Sequence, residues 1–152
     1  MNSLIIYEST EHKNTEKIAF KINDVLKGDL IKAEEADEIE FSKYDLIGLG
    51  SGIFYGRFHK GILDLIDHLG KFENKKAFIF STSGQGKENY NNSLKSILVT
   101  QGFDVIGSFA CKGFDTFGPF KILGGIAKGR PNEKDMKAAE DFAAELLKKF
   151  TE

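Results

Sequence analysis

Two hydrophobic patterns alternate along the 152-residue chain. Continuous apolar runs at residues 4–7 (Leu4, Ile5, Ile6, Tyr7), 44–50 and 77–80 have the pattern of strands buried on both faces. Residues 103–110 read as a further strand, and residues 29–33 as a weaker one. Between them Ile18, Ile22, Val25 and Leu26, then Ile62, Leu65, Ile66 and Leu69, then Leu94, Ile97 and Leu98 recur at helical spacing. Gly28 and Gly70 stand where helix C-caps are expected, and the third helix closes before Gly102. The acidic stretch Glu34, Glu35, Asp37, Glu38 and Glu40 reads as a solvated connection. Asn132 predicts an N-cap with Asp135 at the third helical position, and Ala139, Phe142, Ala143, Leu146, Leu147 and Phe150 trace one apolar stripe. Residues 111–131 carry glycines but no period. So long a stretch is either a functional loop or a misread element.

Apolar runs alternating with amphipathic helices predict βαβ units on a parallel sheet. The expectation is an α/β, doubly wound, five-stranded sheet in a single domain over residues 1–152, too few strands for an eight-stranded barrel. In such sheets a ligand sits outside the carboxyl ends of the strands, where the strand order reverses. Glycines, hydroxyls and loop aromatics gather at those ends in this sequence.

Composition narrows the function. Hydrophobic residues make up 41% and charged ones 29%, and the formal charge is −2. That balance excludes a strongly basic nucleic-acid binder, and no nucleic-acid partner is expected. No apolar run is long enough to span a bilayer, and the N-terminus lacks the basic stretch of a secretion signal. The lone cysteine, Cys111, has no internal disulfide partner, which predicts a reducing, cytoplasmic setting. His59, His68 and Cys111 have no metal-ligand spacing, so no metal site is expected.

The loop after the first strand, Ser9-Thr10-Glu11-His12-Lys13-Asn14-Thr15, places hydroxyls and unpaired N–H groups at a helix N-terminus, an anion site. Lys13 adds a positive charge. The plainer alternative is that Thr10 or Asn14 merely caps the helix. G-x-G-x-x-G and G-K-[ST] are both absent, which leaves a mononucleotide phosphate as the ligand class. After residues 44–50 come Ser51, Gly52, Ile53, Phe54, Tyr55 and Gly56, a glycine-rich turn with two adjacent aromatics. After residues 77–80 comes Ser81-Thr82-Ser83-Gly84-Gln85-Gly86, with Tyr90 nearby.

The first of these loops resembles the phosphate loop of the flavodoxins, [ST]-x-T-G-N-T. Thr10 falls on the first hydroxyl and Asn14-Thr15 on the closing pair, with His12 and Lys13 in place of threonine and glycine. The run Tyr44-Asp45-Leu46-Ile47-Gly48-Leu49-Gly50 is similar to the flavodoxin Y-D-[LI]-[IV]-x-x-G. The resemblance implies a flavodoxin-like fold with strand order 2-1-3-4-5 and non-covalent FMN. Ser9 to Thr15 would meet its phosphate, and Phe54 or Tyr55 its ring. The glycines beside the ring would supply the φ freedom that a peptide needs to turn toward the flavin, with Gly52 and Gly56 as candidates. Thr82, Ser83, Gly84, Gln85 and Gly86 would meet the pyrimidine edge. Tyr90, Phe114 and Phe117 compete for a second stacking position.

The function implied is electron transfer between redox proteins, with no catalytic acid or base because the flavin does the chemistry. The alternative is an FMN-dependent oxidoreductase, a reductase or protoporphyrinogen-oxidase-like enzyme, acting on an acidic small substrate. Lys112, Lys121, Lys128 and Arg130 against Asp115 give residues 112–130 a local excess of three positive charges, which suits an acidic substrate, an acidic partner or an anionic reduced flavin. A cofactor-free phosphoacceptor receiver shares the topology but needs an Asp at the end of the third strand, where this chain has Gly50-Ser51. Oligomeric state is not legible in the sequence.

Overall fold

The computed structural model describes residues 1–10, 12–116 and 123–151. Five parallel strands form the sheet: β1 (Ser3–Glu8), β2 (Asp29–Lys32), β3 (Leu46–Phe54), β5 (Lys75–Ser83) and β6 (Phe103–Lys112). The two-residue β4 (Arg57–Phe58) folds back antiparallel on the end of β3, with Phe54 opposite Arg57. The sheet order is β2-β1-β3-β5-β6. Counting the parallel strands alone, this is the expected 2-1-3-4-5. The hairpin strand β4 is an addition that the sequence pattern did not announce.

The helices are α1 (Asn14–Leu26), α2 (Lys60–Leu69), α3 (Asn92–Thr100) and α4 (Glu133–Thr151). They cover both faces of the sheet, which is why the strands are apolar at consecutive positions. Along β1, Leu4 and Ile6 face Ile62 and Ile66 of α2 and Leu94 and Leu98 of α3. Ile5 and Tyr7 face Ile18 and Ile22 of α1 and Ala139, Ala143 and Leu146 of α4. The two-residue alternation of a strand thus divides one run between two cores.

Gly48 and Gly50 lie in register with Phe78 and Phe80 of β5. A Cβ at either glycine would come within 2.1 Å of the facing phenylalanine's Cζ. These glycines therefore make room for fully buried rings rather than opening a loop. Gly28 behaves alike: a Cβ there would meet Ser3 Oγ at 2.0 Å. The left-handed C-cap expected of Gly28 falls instead on Lys27, at φ 55°. Gly70 does follow α2, at φ 77°.

Residues 33–38 form a 3-10 turn within the acidic connection. The last strand runs to Lys112, two residues beyond the sequence reading, so Cys111 lies in it. Burial, helped by the Asp135 carboxylate, pushes the Cys111 thiol up to about 12. Asn132 and Asp135 form the expected reciprocal cap of α4: Asp135 N–H donates to Asn132 Oδ1 at 3.1 Å, and Asn132 N–H to Asp135 Oδ2 at 2.8 Å. Arg130 also donates to both Asp135 oxygens, at 2.6 and 2.7 Å. The guanidinium holds the Asp135 carboxyl below its ordinary value. No helix among the described residues is long and apolar enough to cross a membrane.

Gly50→Ala is expected to destabilise the fold by about 1–3 kcal/mol through overpacking against Phe80, read as a lower urea midpoint. Asp135→Asn should destabilise by about 2 kcal/mol at neutral pH by breaking the ion pair and weakening the cap. A lowered carboxylate pKa stabilises the folded chain above the unfolded value and loses that effect as pH falls through the folded one. The gap between wild type and Asp135→Asn in urea midpoint should therefore close as pH drops below about 4.

Candidate functional site

The carboxyl ends of β1, β3, β5 and β6 surround a cleft of about 360 Å³. Its lining residues are Ser9, Thr10, His12, Lys13, Asn14, Thr15, Gly52, Ile53, Phe54, Thr82, Ser83, Gly113, Phe114, Asp115 and Thr116. The volume lies within the range of small-molecule sites.

The β1–α1 turn is built by Lys13. Its backbone is left-handed, at φ 54° and ψ 31°, and its N–H donates to Thr10 O at 2.8 Å. A lysine thus holds the conformation for which glycine is the usual residue. The first-turn N–H groups of Asn14 and Thr15 have no acceptor among the described residues, and they open α1 beside the cleft. Together with the helix dipole and the Lys13 ammonium they make the turn receptive to an anion. Ser9 Oγ accepts from Glu16 N–H at 3.3 Å, and Tyr7 donates to Glu16 Oε1 at 2.7 Å. Burial, then this carboxylate, raises the Tyr7 phenol above its ordinary value.

The side chains of Asn14 and Thr15 tie the site loops together. Asn14 Nδ2 donates to Phe114 O at 2.8 Å, and Thr15 Oγ1 bonds Thr82 Oγ1 at 2.8 Å in a buried contact. His12 Nε2 bonds Thr116 Oγ1 at 2.9 Å, and its ring lies 4.5 Å from that of Phe114. The β6–α4 connection thereby closes one side of the cleft. It is doubled on itself, with Asp115 and Ile126 exchanging backbone bonds at 3.0 and 2.9 Å. Gly113 N–H donates to Ser83 O at 2.9 Å. Gly84 is buried under this strap, where a Cβ would meet Ile126 Cδ1 at 2.1 Å.

On the β3 side Phe54 lines the cleft and meets His59 edge-on, with ring centroids 5.5 Å apart. Ser51 Oγ accepts from His59 N–H at 3.0 Å and donates to Gly52 O at 2.6 Å, which pins the base of the β3–β4 hairpin. His59 Nδ1 accepts from Gly61 N–H at 2.9 Å, capping α2, and lies 3.9 Å from Glu8 Oε2. The hairpin tip is Tyr55-Gly56, both at positive φ (50° and 77°), the two-residue turn that matches strand twist.

The sequence-predicted residues thus divide. Ser9, Thr10, His12, Lys13, Asn14, Thr15, Gly52, Ile53, Phe54, Thr82 and Ser83 meet in the cleft. Ser51, Tyr55, Gly56, Gly84, Gln85, Gly86 and Tyr90 do not line it. Tyr55 is 80% exposed, and Tyr90 donates to Gln85 Oε1 at 3.1 Å. Of the three stacking contenders Phe114 lines the cleft, whereas Phe117, like Glu11 and Lys121, lies outside the described residues. Gly113, Asp115 and Thr116, which flank the anticipated Phe114, also line the cleft and were not anticipated, because residues 111–131 carry no period that would say which of them face it. No group of three or more potential metal ligands occurs among the described residues.

This fold and cleft define a doubly wound α/β protein whose ligand cleft opens at the carboxyl edge of the sheet. The chain belongs to the flavodoxin family: the flavodoxin domain matches residues 4–110. It is 46% identical over 150 residues to an uncharacterised protein of Methanocaldococcus jannaschii, covering 97% of this chain and 99% of that one. Among solved structures, a flavodoxin from the domain Archaea matches with TM-score 0.76 at 16% identity over 100% of both chains. A Fusobacterium nucleatum flavodoxin variant bound to flavin mononucleotide matches with TM-score 0.68 at 18% identity, over 99% of this chain and 98% of that one. At these identities the two structures show the shared fold.

Lys13→Gly should relieve the left-handed strain and stabilise the ligand-free chain by about 0.5–1 kcal/mol, net of the added freedom of the unfolded state. A raised urea midpoint is the expected reading.

Proposed function

We propose that the protein is a flavodoxin-type electron carrier holding FMN non-covalently in the carboxyl-edge cleft. The observation that carries this reading is the junction, in one cleft, of an anion-receptive helix turn with the ring of Phe54. The residues present fit the cofactor. The Asn14 and Thr15 N–H groups, the Ser9 and Thr10 hydroxyls and the Lys13 ammonium suit a phosphate. Phe54 offers an aromatic face to a flat ring, with Phe114 as a second apolar wall. Thr82 and Ser83 offer polar groups for the pyrimidine edge, and the remainder of residues 84–90 plays no direct part in this assignment.

Bound FMN supplies the redox chemistry, and the chain binds and tunes it. Lys13 neutralises phosphate charge. The Ser51–His59 bond and the His59–Phe54 contact hold the aromatic wall. The His12–Thr116 bond and the doubled strap restrict water. The partners are redox proteins, and the lone, buried Cys111 supports work in a reducing compartment.

An FMN titration followed by fluorescence quenching tests the assignment. One FMN per chain is expected, with riboflavin, which lacks the phosphate, binding at least tenfold more weakly. Lys13→Gly should weaken FMN about tenfold while leaving riboflavin unchanged, the signature of a lost charge–phosphate contact. Riboflavin binding as tightly as FMN would overturn the phosphate assignment. In an anaerobic reductive titration of the loaded protein, two separated one-electron midpoints support a carrier. One two-electron step would redirect the reading to enzyme chemistry.

A further inference from the structure

The cleft mouth carries a charge pattern opposite in sign to the chain as a whole. Although the formal charge is −2, five cations are exposed toward this end of the strands: Arg57 in β4, Lys60 opening α2, Lys87 after β5, Lys112 ending β6 and Lys128 on the connection that follows it. They form an arc. β4, bearing Arg57, packs against the turn Glu88–Asn91 that follows Lys87. Gly86, just before Lys87, lies against the Lys112 side chain: a Cβ on Gly86 would come within 2.9 Å of Lys112 Cγ.

Among the described residues Arg57, Lys87, Lys112 and Lys128 form no ion pair, and Lys60 reaches only the exposed Asp64, at 3.8 Å. Arg130 does not add to the arc, because Asp135 neutralises it. Among the described residues Glu88 and Asp115 also lie on this side, as does Glu8 at the end of β1, 3.9 Å from His59 Nδ1. The acidic connection after β2 follows the edge strand on the far side of β1 from the cleft. Beside the cations stand two exposed apolar side chains, Tyr55 on the β4 hairpin and Leu123 (73% exposed) on the strap.

We infer that this arc is the docking face for an acidic redox protein, one that presents a carboxylate-rich surface around its own redox centre. The inference rests on the carrier reading for the nature of the partner, while the charge pattern stands without it. Unpaired surface cations steer an oppositely charged partner and fix its register. Exposed aromatic and aliphatic side chains supply the contact that survives salt.

The test uses the FMN-loaded full chain with an acidic [2Fe–2S] ferredoxin as probe and basic cytochrome c as the opposite-charge control. Binding is read from amide shifts of the 15N-labelled protein and from calorimetry at two ionic strengths. Expected are shifts confined to the arc and a ferredoxin affinity that falls at least tenfold from low to high salt, with no binding of cytochrome c. The triple variant Arg57→Glu, Lys87→Glu, Lys112→Glu should weaken ferredoxin about tenfold or more at low salt. A control with the same charge change at the other end of the sheet, Lys27→Glu, Lys43→Glu, Lys71→Glu, should change it less than twofold.

Equal loss in both variants would overturn the inference, since net charge and not the arc would then govern binding. So would saturable binding of citrate at the arc that excludes ferredoxin, which would make it a small-acid site. FMN loading is followed separately by absorbance. A chain that fails to take FMN but still shifts at the arc refutes the carrier reading and leaves the docking face standing.

Discussion

Covering both faces of a parallel sheet removes the side chains of its central strands from solvent and leaves the strand ends as the place where polar groups can gather. In this chain that constraint is severe, because β1, β3 and β5 contribute apolar side chains to two separate cores at once. The Gly48–Phe78 and Gly50–Phe80 pairs show how tightly the middle of the sheet is filled. Everything concerned with a ligand is displaced to the carboxyl edge. Parallel strands all finish on the same side, so loops distant in sequence converge there.

That convergence explains why the cleft is held by cross-loop bonds. Thr15 reaches Thr82 across 67 residues of chain, and His12 reaches Thr116 across 104. Side chains that look like ligand donors in the sequence, Asn14 and Thr15 above all, are occupied in joining the walls. The groups left open to an anion are backbone N–H groups, the Ser9 and Thr10 hydroxyls and the Lys13 ammonium. Specificity in such a site comes from the path of the main chain, which the Lys13 left-handed turn sets.

Much of this was legible before the structure. Continuous apolar runs and helical stripes gave the five parallel strands and four helices, because burial on two faces and on one face leaves different periods. The Asn132–Asp135 cap was legible because a reciprocal side-chain to backbone pair has a fixed three-residue spacing. Other features were not. Gly48 and Gly50 were read as part of a buried strand, but the need for glycine there was not legible, since the rings they accommodate lie thirty residues away in sequence. Arg130 looks like a free rim charge because the acid that cancels it lies five residues on, inside the next helix. Ser51, placed with the cofactor residues by its neighbours, spends its hydroxyl on the hairpin base. The β4 hairpin left no trace, because two residues carry no period.

The burial of Cys111 has a practical side. With its thiol buried and held well above the ordinary thiol value, the only cysteine in the chain carries little thiolate at neutral pH. Alkylating reagents and disulfide exchange, which act on thiolates, find almost nothing to attack in the folded molecule. A single cysteine introduced on the surface would therefore take up a spin label or fluorophore selectively, with the native thiol left in place. The molecule comes ready as a background for distance measurements.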